Sequence, residues 1–545
     1  MPTHEVTNQP PELGAYNVYE SDPVLPEAVA RYGAGWAEEQ LTEFGSVVGE
    51  LEVREWSRLA NENLPILHTH DRFGNRSDTV EFHPSWHALM ELSVRNGVPS
   101  IHRETGARQG SHIARAALMF LDSQMEQGHG CPISMTSSVT ATLKLQPDII
   151  NELQPLLTSR RYDRSFAPMA DKTGILLGMG MTEKQGGSDV RANTTVAEPI
   201  EAGGPGSEYL LTGHKWFMSA PMCDGFAVLA QAPGGLSCFY LPRWTPDGEV
   251  NRFFIQRLKD KLGNRSNASS EVEFDKAWAR MVGDEGRGVK TIIAMVNGTR
   301  LDCTIGSTAI MRQAVTQATH HISHRSAFGD LLVDTPIMQA VIADLEIETE
   351  AATLLTMRLA ETFDRADEDA ASALLQRIMT PVAKYWVTKR CSAVVYEALE
   401  CLGGNGFVEE STMPRLFRES PLNAIWEGSG NVIALDLMRA MKREPEAVDI
   451  FVDEIELARG ADLRLDAAID RLKKTLGSDV SEAELRRLIE EMAIVLEGSL
   501  VVRHGSQALA DGFVTTRIDG DWGRTFGTIP QSTETDSLVA ASVVE

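Results

Sequence analysis

Residues 421–439 read Pro-Leu-Asn-Ala-Ile-Trp-Glu-Gly-Ser-Gly-Asn-Val-Ile-Ala-Leu-Asp-Leu-Met-Arg. They set one carboxylate, Glu427, in a Gly/Ser loop that opens directly into an apolar-periodic segment. Val432, Ile433, Leu435 and Met438 fall at helical spacing, which predicts a buried helix with Ser429 or Asn431 as its N-cap. A glutamate between Ile425, Trp426 and a buried helix start is expensive to keep ionised unless it has a task. Desolvation moves the pKa of such a carboxylate, a condition that suits a base. The plainer alternative is a helix-start carboxylate favoured by the macrodipole.

Four further segments stand upstream of it. Residues 178–190 read Gly-Met-Gly-Met-Thr-Glu-Lys-Gln-Gly-Gly-Ser-Asp-Val and residues 213–220 read Gly-His-Lys-Trp-Phe-Met-Ser-Ala. Residues 324–329 read His-Arg-Ser-Ala-Phe-Gly and residues 402–407 read Leu-Gly-Gly-Asn-Gly-Phe. In this order and at these separations the five blocks resemble those of the acyl-CoA dehydrogenase flavoenzyme family. Its usual blocks are Thr-Glu…Gly-Ser-Asp, Gly-x-Lys-x-Trp-Ile-Thr, Arg-x-x-Phe-Gly, Gly-Gly-x-Gly and Tyr-Glu-Gly-Thr. The AidB branch is more similar still, through Asn-Gln-Pro-Pro at 8–11, Gly-Ala-Gly-Trp at 33–36, Phe-His-Pro-Ser-Trp at 82–86, Asp-Lys-Leu-Gly-Asn-Arg-Ser-Asn-Ala at 260–268 and Trp-Glu-Gly-Ser-Gly-Asn at 426–431. The resemblance thins beyond residue 450 or so.

The resemblance implies bound FAD and α,β-dehydrogenation of an acyl-CoA thioester, with Glu427 taking the α-proton while a hydride leaves the β-carbon. A carbon acid this weak needs a well-placed base, and donors where enolate charge develops. In the first loop Met179, Met181, Thr182, Gly187 and Ser188 match flavin-holding positions, with Ser188 near phosphate or thioester. Phe217, Met218 and Ser219 match the strand against the flavin, Phe217 standing where the family has Trp and Ser219 where it has Thr. Arg325, Phe328, Gln339 and the loop Gly403, Gly404, Asn405 and Gly406 match positions that reach a neighbouring protomer's FAD, which implies a homotetramer. Ile425, Trp426, Gly428, Ser429 and Asn431 match cofactor contacts around the base. Ser188, Arg300, Trp426 and Arg439 are the expected substrate-pocket residues. Trp426 replaces the usual Tyr, and its larger indole narrows the slot for a thioester. Taken singly, each has a structural alternative: Phe217 as strand core, Arg325 as surface charge, Gly-Gly-Ser-Asp as a turn. AidB-type proteins are associated with protection against DNA alkylation, with DNA binding through the C-terminal region and with weak dehydrogenase activity. A DNA-associated flavoprotein is therefore the competing reading, and an oxidase reoxidised by O2 a third.

Composition sets outer bounds. The 545 residues predict three to four domains or layers, and 43% hydrophobic with 23% charged residues is ordinary for a globular protein. No apolar run approaches the roughly 18–20 residues of a membrane span, and the first ten residues lack the basic and apolar regions of a signal peptide. Six scattered cysteines without a Cys-x-x-Cys pair predict a reduced, cytoplasmic setting and no zinc site. A net charge of −26 repels polyanions at long range, and residues 441–545 hold 12 Lys/Arg against 21 Asp/Glu. DNA affinity rests largely on phosphate neutralisation, so this region disfavours the DNA partner that the resemblance raises. Two basic clusters, Arg160/Arg161/Arg164 and Arg257/Lys259/Lys261/Arg265, read as solvated surface or, alternatively, as phosphate sites.

The elements that must position these residues follow from periodicity. Residues 1–173 read as a helical domain, with an amphipathic helix at Ser111–Gln127 and weaker ones at 85–95 and 148–158. Short alternating runs over 174–287, among them two flanking the Ala-Pro-Gly-Gly turn at 232–235, predict a β-barrel-like domain. Leu301, Ile305, Ala309, Arg312, Val315, Ala318 and Ile322 trace one face of a long helix. With helices at Thr335–Arg365, Glu368–Cys401 and after Asn431, this predicts a four-helix bundle over 288–445. Residues 446–545 read as an additional helical region, with a capping box at Ser481–Glu484 and a tail after Pro530 that is either docked or disordered. The fold class is α+β, acyl-CoA dehydrogenase-like.

Overall fold

The structure, a computed structural model, describes residues 3–104 and 108–544. The chain divides into two compact units, one formed by residues 52–107 and 125–299, the other by residues 1–51, 108–124 and 300–545.

The first unit is built on strands that close on themselves. Gly225–Ala232 pairs with Gly235–Pro242 across the turn at 232–235, and that strand pairs with Ser270–Val282. Ser270–Val282 pairs with Glu208–Met218, which pairs with Val196–Pro199, which returns to the first strand at Gln231. Closure removes the unpaired edges of an open sheet. Leu177–Gly180 adds to the ladder beside Gly225–Ala232, and Phe253–Leu258 beside Ser270–Val282. Its interior holds Tyr209 edge-on to Phe239 and Phe226 stacked on Phe253.

Glu208–Met218 is one strand where the sequence shows two short runs, Tyr209–Leu211 and His214–Phe217. A register shift at Leu211/Thr212 inserts the break without ending the ladder. Gly213 permits the close approach just beyond it, since a Cβ there would sit 2.5 Å from Thr195 Oγ1. Helices Pro84–Arg95, Gly130–Leu143 and Pro147–Leu157 pack in the same unit, two of them opening on the proline that suits a first turn. One pair of strands was not predicted: Ile66–His70 and Arg76–Glu81 form a hairpin inside the stretch read as helical. One face of Ile66–His70 is exposed and the other half-buried, and Arg76–Glu81 is polar except for Val80, so no apolar alternation marks them. The turn is fixed locally, with Asp71 Oδ1 accepting from Phe73 N at 2.8 Å and Asn75 N at 2.9 Å.

The second unit is helical. Gly288–His324 contributes from Arg300 onward, followed by Pro336–Arg365, Ala370–Cys401 and Gly430–Arg443. Ala370–Cys401 is the central member, packing against Pro336–Arg365, Gly430–Arg443 and Glu446–Glu456. The predicted face of the first helix is buried from Leu301 to Ile322. Arg312 lies on that buried face because Asp22 at 3.1 Å and Glu346 at 2.6 Å neutralise it. Leu463–Leu476 and Leu485–His504 form the added C-terminal region, and the Ser481–Glu484 capping box is present. The tail is docked: Asp536–Ala541 is a helix that buries Leu538, and Ser542 Oγ lies 2.9 Å from Thr319 Oγ1. Among the described residues no helix is long and apolar enough to cross a membrane, and the six cysteines are buried and unpaired with each other.

Candidate active site

Glu427 occupies a main-chain conformation that L-residues avoid. Its φ is +58°, between a short turn at Leu422–Ala424 and Gly428 at φ +107°. The left-handed region costs a non-glycine residue roughly 1–2 kcal/mol, so neighbours must hold it. Lys384, on the central helix, donates to Trp426 O at 3.0 Å and to Gly428 O at 2.5 Å. Arg300 donates through Nε to Glu427 O at 3.1 Å. Three consecutive carbonyls are thus clamped by two cations. Arg300 also donates to Asp436 Oδ2 at 2.7 Å, and Arg377 holds the other Asp436 oxygen at 2.9 Å. Burial lowers Lys384 to about 8 and raises the neighbouring Cys303 thiol to about 12.

This differs from the apolar cradle that Ile425 and Trp426 suggest in sequence. Ile425 is 64% exposed, and Glu427 is half-buried in a setting made by cations on main-chain oxygens. Trp426 is fixed through its indole N–H, 2.8 Å from Asn423 Oδ1. Ser429 holds the N-cap position of Gly430–Arg443, but its side chain makes no capping hydrogen bond, and both Ser429 and Asn431 are exposed. Arg300 is committed to the clamp, while Arg439 is exposed further along the same helix.

The loop of Met179 to Ser188, in the β-rich unit, is organised by a buried ion pair. Glu183 Oε1 accepts from Lys215 Nζ at 2.8 Å and Thr195 Oγ1 at 2.6 Å, and Oε2 accepts from Thr194 N at 2.7 Å. Burial pushes the Glu183 carboxyl up, but Lys215 and the threonine donors outweigh it and hold it well below the usual range. Lys215 itself is lowered to about 8 by burial. Around this pair Asn193 Nδ2 donates to Met181 O at 2.8 Å and Trp216 N to Thr182 O at 2.8 Å. Gly187 and Ser188 remain exposed. Met218 is buried, Ser219 Oγ lies 3.4 Å from Ser269 Oγ, and Phe217 is 48% exposed on its strand. Glu183 and Lys215 had no role in the sequence reading, although they are the Glu of the Thr-Glu block and the Lys of the Gly-x-Lys block.

Two more blocks meet in the helical unit through residues 8–11. Asn8 O accepts from the Arg325 guanidinium, Asn8 Oδ1 accepts from Ser326 N at 2.8 Å, and Asn405 Nδ2 donates to Gln9 Oε1 at 3.0 Å. Phe328, at φ +57°, is fully exposed. Gln339 is half-buried on the following helix, and Gly404–Phe407 is a short helical turn entered through Gly403 at φ +58°. One basic cluster is compensated internally, since Arg257 and Lys259 both donate to Glu271 at 2.7 Å and Lys261 donates to Asn267 O at 2.7 Å.

A closed strand ring, a long-helix bundle and a glutamate loop at the bundle define the acyl-CoA dehydrogenase fold. Residues 178–277 match the acyl-CoA dehydrogenase middle domain and residues 286–442 its C-terminal domain. Residues 8–164 match the N-terminal domain of the adaptive response protein AidB. AidB of Escherichia coli (strain K12) is 43% identical over 518 residues, covering 95% of each chain. The chain belongs to the acyl-CoA dehydrogenase family, in its AidB branch. Caenorhabditis elegans ACDH-11, solved in complex with C11-CoA, superposes with a TM-score of 0.84 at 27% identity, covering 95% of this chain and 92% of that one. An acyl-CoA dehydrogenase of Bacillus anthracis complexed with FAD shares the fold at a TM-score of 0.64 and 17% identity, covering 80% and 83%.

Proposed function

We propose that the protein is an FAD-dependent oxidoreductase that introduces an α,β double bond into an acyl-CoA thioester, with Glu427 as the base. The observation that carries this reading is the clamp: Lys384 and Arg300 hold the carbonyls of residues 426–428 so that a glutamate stays in a left-handed conformation. A left-handed main-chain conformation at a glutamate, held by two cations, is costly, and a structural carboxylate has no need of it.

The residues present fit a flavin. Phe217 offers an exposed ring on a strand whose next residue, Met218, is fully buried. Gly187 must stay bare, because a Cβ there would meet Thr182 Oγ1 at 2.6 Å. When bound, FAD supplies the acceptor for the hydride that leaves the β-carbon. The chain's own work is to orient the thioester, exclude water and receive the α-proton on the Glu427 carboxylate. Met179–Ser188 and Phe217–Ser219 would hold the cofactor in the β-rich unit, and Ser429 and Asn431 would do so beside the base. ACDH-11, the neighbour captured with C11-CoA, supports an acyl-CoA as the substrate class. Exposed Phe328, Ile337 and Phe407 support a homotetramer in which Arg325, Gln339 and Gly403–Gly406 serve an adjacent subunit's cofactor.

Anaerobic mixing of the yellow holoprotein with a panel of acyl-CoAs, followed by flavin absorbance, tests the reading. At least one thioester should bleach the flavin. Glu427→Gln should retain FAD and slow that bleaching by roughly 10²–10⁴-fold, the usual share of a general base. Bleaching of Glu427→Gln at the wild-type rate would move the base elsewhere.

A further inference from the structure

The β-rich unit contains a cavity of about 60 Å3 formed by none of the residues assigned above. Val80, Phe82, Leu176 and Met222 make its apolar walls. Its polar groups come from the Pro84–Arg95 helix (His87), the segment 162–172 (Tyr162, Asp163, Arg164, Lys172) and Asp224.

Both aspartates are already satisfied. Asp224 accepts from Lys172 Nζ at 2.6 Å on one oxygen and from Leu176 N at 2.9 Å on the other. Asp163 Oδ1 accepts from Ser165 N at 3.0 Å and Ser165 Oγ at 2.6 Å, and Oδ2 accepts from Thr173 N at 3.0 Å. The donors are not all used. Lys172 Nζ spends one further N–H on Ser165 O at 2.9 Å, and an ammonium has three. His87 Nδ1 and Tyr162 Oη lie 2.7 Å apart. Burial, with the nearby Arg164, lowers His87 to about 4, and burial raises the Tyr162 phenol, so both are neutral at pH 7. If the phenol donates, His87 Nε2 keeps an unused N–H; if the imidazole donates, the phenol keeps its O–H. The Arg164 guanidinium makes no hydrogen bond or ion pair among the described residues and is exposed at the cavity.

Three donors therefore line the cavity without a protein acceptor, and a ligand that brings oxygen can take them together. We propose that this cavity binds the carboxylate of a small organic acid. The room is several times the roughly 10–15 Å3 that one water needs, enough for the carboxylate and short side chain of a small organic acid. The guanidinium fork matches two carboxylate oxygens, and the four apolar walls take the short side chain. Two wall cations are offset by two wall carboxylates, so a monoanion fits where a phosphate dianion does not.

The site is tested on the full-length holoprotein by saturation-transfer NMR with ¹³C-acetate at pH 7 and fixed ionic strength. Saturable binding is expected, weakened tenfold or more in Arg164→Leu and in His87→Phe, with sulfate, a dianion at pH 7, failing to compete at equal concentration. Arg164 is exposed, so Arg164→Leu should unfold at the wild-type temperature and report on binding alone. Absence of saturable binding, wild-type affinity in Arg164→Leu, or displacement of acetate by equimolar sulfate would each overturn the proposal. None of these outcomes depends on acyl-CoA turnover.

Discussion

Replacing Lys384 with Met separates the two jobs of the carbonyl clamp. Methionine keeps the length and most of the volume of the side chain and removes the ammonium. Two half-buried carbonyls, those of Trp426 and Gly428, then lose their donor, at up to about 1–3 kcal/mol each. Against this, the ammonium is itself costly to bury: a fall from 10.5 to about 8 corresponds to roughly 3 kcal/mol. The terms partly cancel, so at pH 7 the variant should differ in stability by no more than about 3 kcal/mol. The pH dependence is sharper. The folded protein binds this proton less tightly than the unfolded chain, so between pH 8 and 10.5 the unfolded state carries more protons at Lys384 and wild-type stability gains with rising pH. Met has nothing to titrate, and relative to wild type the variant should fall behind by up to roughly 3 kcal/mol across that window. Denaturant melts of both proteins at pH 7, 8, 9 and 10 measure the difference, and parallel curves would refute the buried-ammonium argument. Activity reports on the other job. Without the clamp, Glu427 relaxes from a conformation that costs roughly 1–2 kcal/mol, which lowers the competent fraction by about 5–30-fold. The rate of anaerobic flavin bleaching should drop by that factor, with the half-saturating acyl-CoA concentration little changed. A variant that bleaches at the wild-type rate shows that the clamp does not position the base.

Glu183→Gln should destabilise the protein by about 3–5 kcal/mol, because Lys215 is left buried without its counter-charge; a thermal midpoint equal to wild type would show that the pair is dispensable. Duplex DNA should bind weakly even at low salt. Arg503 is engaged with Glu454 at 3.0 Å, Arg257 with Glu271, and Arg486 with the Tyr385 hydroxyl at 3.0 Å. Tight binding that falls steeply between low and physiological salt would show a basic channel made by assembly and would bring the DNA-associated reading forward.

The long elements were legible because burial on one face writes a period into the sequence. Pro336–Arg365 and Ala370–Cys401 begin within two residues of the predicted starts and end where predicted. The hairpin at 66–81 was not legible, because strands half-buried on one face through mostly polar residues leave no apolar alternation. The single strand Glu208–Met218 looked like two, because the bulge at Leu211/Thr212 interrupts its pattern without interrupting its pairing. The site divides the same way. Glu427 could be found from its loop, but the clamp could not: Arg300, Arg377, Lys384 and Asp436 lie on three helices, and no local spacing connects them. Ile425 misled the reading of Glu427's surroundings, since an apolar neighbour in sequence points to solvent in the fold. Glu183 and Lys215 were visible inside quoted blocks, yet a buried ion pair 32 residues apart declares itself only when the strand and the loop are placed together.

Distances alone do not make a catalytic group. His129 stands 3.0 Å from Ser93 Oγ through Nε2 and 3.0 Å from Glu126 through Nδ1, the spacing of a hydrolase relay. Yet Glu126, His129 and Ser93 are fully buried, and the Ser93 hydroxyl already donates to Leu89 O at 2.9 Å, leaving no proton for the imidazole to take. Glu126 accepts further from Asn61 Nδ2 at 2.8 Å and Ser266 Oγ at 2.7 Å. Burial pushes its carboxyl up, but His129 and these donors prevail and hold it near 2. Every group there is spent on another part of the chain, so the knot ties the Gly-His-Gly loop at 128–130 to the Asn-Arg-Ser-Asn segment at 264–267 and does no chemistry. The candidate sites differ from it. At Glu427 two cations hold the main-chain carbonyls of residues 426–428 in a left-handed turn, and in the cavity beside His87 and Lys172 three donors face open space. Chemistry is expected where the fold spends its groups on shaping a site that a ligand can reach.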